Sequence, residues 1–103
     1  MKFKSPQTHS EYEVVFNADD KFYIAYRKLL ETNQYRVRIQ CLTEEKIPRL
    51  EKVLSNIVYK EKWHDVKGGD HLSVVVKDEK DLVNALTDAA KAILITLNHY
   101  NEL

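Results

Sequence analysis

Residues 21–31, Lys21-Phe22-Tyr23-Ile24-Ala25-Tyr26-Arg27-Lys28-Leu29-Leu30-Glu31, decide the fold of this chain. Phe22, Ala25, Tyr26, Leu29 and Leu30 fit a helical stripe capped by Asp19 or Asp20, but Ile24 breaks that stripe. The same run alternates, and Phe-Tyr-Ile-Ala-Tyr is rich in strand formers. A strand here, closed by Glu31-Thr32-Asn33-Gln34, makes a three-stranded meander with its neighbours. A helix makes βαβαβα. The strand is the reading adopted, and βαβαβα is the alternative.

On either side the pattern is extended. Residues 35–42 alternate strictly, with Tyr35, Val37, Ile39 and Cys41 inward and Arg36, Arg38 and Gln40 outward. A strand with two arginines on one side keeps that side wet, which argues for an antiparallel sheet with one open face. Residues 11–16 alternate too, placing Tyr12, Val14 and Phe16 on one side and Glu11, Glu13 and Val15 on the other. Asn17-Ala18-Asp19-Asp20 turns the chain.

Further along, Ile47, Leu50, Val53, Leu54, Ile57 and Val58 recur at helical spacing, and Pro48 is tolerable only in an opening turn, so this helix starts within residues 43–47. Residues 60–70 read as an irregular connection ending in Gly68-Gly69-Asp70, and residues 71–77 as a fourth strand with Leu72, Val74 and Val76 on one side. Asp78 caps a long terminal helix whose core stripe runs from Leu82 to Tyr100. Residues 92–95 are apolar nearly all round, so they need cover on more than one side. The expected architecture is therefore α+β: a three-stranded antiparallel meander, a helix, a fourth strand and a long C-terminal helix, with both helices on one face of the sheet. Residues 1–10 read as a lead-in free to move, and residues 11–103 as one domain, a size that suits a single core.

Composition narrows the function classes. Lys plus Arg and Asp plus Glu are equal at 16 each, so no global field favours nucleic acid or an anionic membrane. No apolar run reaches the length of a bilayer span or resembles a signal peptide, and Cys41 is the only cysteine, which fits a reducing compartment. The expected setting is the cytoplasm, with no membrane partner.

No constellation reaches a catalytic motif. Trp63-His64-Asp65 and Asp70-His71 supply residue types for metal or acid–base chemistry at a spacing that matches no strong signature. Gly68-Gly69-Asp70 precedes a strand, whereas a phosphate loop precedes a helix. Cys41 shares the inward side of its strand and reads as packing. No cofactor, metal site or enzymatic activity is expected.

Two kinds of surface remain. The open sheet face gathers Tyr23, Arg27, Arg36, Arg38 and Gln40, cations beside a stackable ring, which is what single-stranded nucleic acid binding uses. Trp63, Ala92 and Ile95 are candidates for a protein interface, and a homodimer would cover the apolar excess of the terminal helix. The zero net charge, and Glu11 and Glu13 as counterweights to the arginines, leave nucleic acid the second reading. The first is a small non-enzymatic protein-binding or regulatory module.

Overall fold

The computed structural model describes residues 2–4, 11–42, 46–65 and 71–101. Along the chain come β1 (Lys2–Lys4), β2 (Glu11–Ala18), β3 (Phe22–Leu29), β4 (Gln34–Cys41) and α1 (Lys46–Ser55). A short 3-10 turn (Lys60–Lys62), β5 (His64–Asp65), β6 (His71–Val76) and α2 (Glu79–Asn101) follow. The strands form one sheet in the order β1-β2-β3-β4-β6-β5, with every neighbouring pair antiparallel. Residues 22–29 are thus a strand and the meander is the fold, because alternation of Phe22, Ile24 and Tyr26 puts three large side chains on one core face. Two further short strands occur: Lys2–Lys4, in the segment read as a lead-in, pairs with β2, and His64–Asp65, in the segment read as an irregular connection, pairs with β6. Residues 43–45 and the glycine pair at 68–69 lie outside the described residues.

The two hairpin turns among the described residues, at 18–21 and 29–34, are built without glycine. Asp19 and Asp20 both take positive φ, 52° and 55°, and Lys21 N–H donates to Ala18 O at 2.9 Å, giving the mirror-image turn whose twist suits a hairpin. Asn33, at φ 57°, closes the β3–β4 connection, where its N–H donates to Leu29 O. Aspartate and asparagine tolerate this region better than other side-chain-bearing residues because their short polar side chains bond locally.

Phe22, Ile24, Val37, Ile39, Leu72 and Val74 line one sheet face, and Leu50, Val53, Ala89, Ile93 and Leu97 of the two helices cover it. Each large side chain so buried contributes about 1.5–3 kcal/mol. Trp63 and Ala92, expected at an interface, are buried in this core. The α2 helix begins at its expected cap, with Asp78 Oδ1 accepting from Asp81 N–H at 2.8 Å. A polar joint ties it to the end of α1: buried Thr96 Oγ1 donates to Ala92 O at 2.7 Å and accepts from Asn56 Nδ2 at 3.1 Å. No helix among the described residues is long and apolar enough to cross a membrane.

β2 departs from the sequence pattern. Val14 pairs with Ala25 and Phe16 with Ile24, so Val15 is one residue in excess, a bulge. Phe16 and Ala18 face the core, whereas Tyr12 and Val14 lie on the opposite face. The expected common side for Tyr12, Val14 and Phe16 is corrected accordingly. The bulge also sends Glu13 to the helix-covered face, where its carboxylate accepts from the Tyr26 hydroxyl at 3.3 Å. Burial first, and Glu13 second, push the Tyr26 phenol above its ordinary value.

Three outcomes are expected. Val37→Asp places a charge at a fully buried position and costs about 4 kcal/mol or more, read as loss of the folded baseline in denaturant titration. Asp20→Gly removes side-chain strain at positive φ and raises the denaturant midpoint by the equivalent of about 0.5–1 kcal/mol. Tyr26 favours its neutral form in the folded state, so its stabilisation is complete below the ordinary phenol range and is lost as pH rises through the raised value. Spectrophotometric titration should show Glu13→Gln lowering that value partway only, since burial is the larger cause.

Candidate functional site

The sheet face turned away from the helices is built from alternate residues of the same strands. β3 supplies Tyr23, Ala25 and Arg27; β4 supplies Arg36, Arg38 and Gln40; and β6 supplies His71, Ser73 and Val75. All five residues expected on this face, Tyr23, Arg27, Arg36, Arg38 and Gln40, share it. His64 joins them by its pairing with Ser73.

The bulge in β2 adds Tyr12, which the alternation of residues 11–16 had placed elsewhere. Its ring is the centre of the site. The guanidinium carbon of Arg27 lies 5.4 Å from the Tyr12 ring centroid and that of Arg38 lies 5.3 Å from it, so two cations from two strands meet one aromatic ring. Each such contact is worth about 0.5–2 kcal/mol, more where water is excluded. Tyr12 is only 3% exposed and Arg27 only 7%. Arg38 pairs with Ala25 and Ala25 with Val14, so Arg38 reaches Tyr12 diagonally across β3, past the small Ala25 side chain. The one sequence signal for Tyr12 was the pair Val14-Val15, where two apolar residues in succession interrupt alternation.

Arg38 is also held from the other side. Its Nη2 lies 3.2 Å from His71 Nδ1 and 3.1 Å from Nε2, within hydrogen-bond reach of whichever ring nitrogen carries a lone pair. Gln40 is buried despite its outward position, and Arg36 and Arg38 are half-buried. Arg27 Nε is buried and has no hydrogen-bond partner.

The electrostatics of this face are one-sided. Arg27 and Arg36 stand directly opposite each other in the β3–β4 register, an arrangement that costs stability by roughly 0.2–1 kcal/mol. No carboxylate occupies a position on this face among the described residues. Glu13 lies on the other face, and Asp19, Asp20 and Glu31 sit in the turns. Glu13, one of the expected counterweights of the arginines, is therefore not on their side of the sheet. Zero net charge carries no information about this face, since Glu51, Glu79, Asp81 and Asp88 lie on the helices together with Lys52, Lys80 and Lys91.

The remaining candidates separate. Trp63 is core, His64 is on the sheet face, and Asp70 lies outside the described residues. Among the described residues no group of three or more His, Cys, Asp or Glu is placed to hold a metal ion. Cys41 is buried on the core side. Of the apolar residues of α2, Ile93 and Leu97 are covered, while Leu94 and Ile95 remain 55% and 53% exposed. Adjacent residues diverge by about 100° around a helix, so these two flank the buried stripe on opposite sides and form no single patch.

A second surface lies at the far edge of the sheet. β5 pairs only with Leu72 and Ser73, so among the described residues Val74–Val76 have no strand partner on the side away from β4. A groove of about 920 Å³ runs between this edge and α2, with Val58 at 73% and Tyr59 at 59% exposure on its rim.

The chain matches no protein-family model, no curated protein and no solved structure.

Proposed function

We propose that this chain is a non-enzymatic binding module whose open sheet face receives an anionic partner. The observation that carries this reading is the directly opposed pair Arg27 and Arg36, with Arg38 beside them, on a face where no described residue is acidic. Folding alone disfavours such a cluster, because like charges repel and a largely buried guanidinium pays for desolvation. A bound anion offsets both costs through charge-assisted hydrogen bonds. Buried Cys41 suits a reducing compartment, and the cytoplasm is the setting we infer.

A second reading, a protein partner, draws on the unpaired edge of β6. Extended segments add to such edges through backbone hydrogen bonds, and exposed Val58 and Tyr59 would bury their side chains. A two-fold copy pairing edge to edge is the homodimer that this geometry permits.

The test of the anionic reading separates binding from stability. The unmodified protein should be retained on a heparin column at low salt despite its zero formal charge, and Arg36→Gln should elute earlier. The same variant should keep or raise its denaturant midpoint, since it relieves the repulsion with Arg27. Passage of the unmodified protein without retention, or a loss of stability in Arg36→Gln as large as a core substitution, would refute the assignment.

A further inference from the structure

Resting on that reading of the arginine face, we propose that its partner is single-stranded nucleic acid, with phosphates on the arginines and unpaired bases against the flat side chains between them. Arg36 and Arg38 lie two residues apart on β4, about 6.6–7 Å along the strand, and Arg27 stands beside Arg36 on β3. Positive charge is thus disposed along a line with a lateral branch. Such an array follows a flexible phosphodiester chain.

Charge alone would suit an acidic peptide equally well. What separates the two is the share of planar groups. The buried Tyr12 ring is the floor on which the half-buried Arg38 guanidinium rests, the His71 imidazole lies against Arg38, and the accessible Tyr23 and His64 occupy neighbouring positions of the same face. Unstacked bases use aromatic rings and guanidinium planes as platforms, whereas a run of carboxylates gains nothing from them. The half-buried Ser73 adds a hydroxyl to this face for base edges.

Shape separates the single strand from the duplex. Reading a duplex through its bases requires a helix or ribbon to enter a groove, and phosphate contact alone requires cations spread around a cylinder. Both described helices cover the other side of the sheet, so no helix among the described residues projects from this face. An open sheet with cations and rings among its side chains instead accepts bases laid flat upon it.

The experiment is fluorescence anisotropy with labelled oligothymidylate and oligouridylate, a labelled duplex of equal length, and labelled poly-glutamate, across a salt series. Both single strands should bind more tightly than the duplex and poly-glutamate, with a logarithmic salt slope of about 0.7 per phosphate contacted. Arg36→Gln with Arg38→Gln should weaken single-strand binding by roughly tenfold or more and flatten the slope by about 1.4. Arg38→Lys preserves charge but removes the plane, so it should lower affinity while leaving the slope unchanged. Lys52→Gln with Lys91→Gln, on exposed helix positions, should bind as the parent does. Equal or tighter duplex binding would overturn the single-strand assignment, as would an equal loss in the helix variants. Poly-glutamate binding as tightly as the oligonucleotides would overturn nucleic acid while leaving the anionic face standing. Retention on heparin without binding to either oligonucleotide would do the same. Failure of every polyanion would remove both.

Discussion

The bulge at Val15 is the constraint on which the rest of the sheet depends. One extra residue in β2 lets a single strand serve two faces: Phe16 and Ala18 point into the core at one end, and Tyr12 lies on the outer face at the other. Without it, either Tyr12 or Phe16 would be on the wrong side, since a one-residue slip moves every side chain across the sheet. The same step carries Glu13 to the Tyr26 hydroxyl and away from the arginines. Charge segregation and the buried ring at the site are therefore two results of one local event.

The two faces of the sheet use different physics. Between sheet and helices, aliphatic side chains exclude water, and the polar atoms of Thr96 and Asn56 are satisfied by each other and by the Ala92 carbonyl. On the outer face, burial is achieved by polar groups with flat surfaces, with Arg27 and Arg38 closing over Tyr12 while the hydrocarbon stems of the arginines cover the strand beneath. Ala25 makes this possible. A larger residue there would hold Arg38 away from the ring and leave it to His71 alone.

Cation–π contacts moderate, but do not remove, the repulsion within the arginine cluster, because an aromatic quadrupole is a weaker partner than a carboxylate. A sheet face optimised for folding would place glutamate opposite Arg27 or Arg36. Among the described residues, Asp19, Asp20 and Glu31 are instead in turns, Glu51, Glu79, Asp81 and Asp88 on helices, and Glu13 on the covered side of β2. Net charge averages over both layers and carries no information about this division.

The sequence by itself determined the strand at residues 35–42 and the two helices, and favoured the meander over βαβαβα. Those features follow from local periodicities: alternation in residues 35–42, the helical stripe from Ile47 to Val58, and the Asp78 cap. It also placed Arg36, Arg38 and Gln40 on one face of β4, and Tyr23 and Arg27 with them once residues 22–29 were taken as a strand. Only the tertiary structure decided what that face is. Bulge position depends on pairing between strands, so the transfer of Tyr12 and Glu13 was not readable from β2 alone. Cover is likewise a property of neighbours. Trp63 and Ala92 are buried because sheet and helices close over them, and Ile95 stays exposed because the α2 stripe turns away from it. The short strands Lys2–Lys4 and His64–Asp65 carry too few residues to show a period, and exist because an adjacent strand edge offers hydrogen bonds to complete.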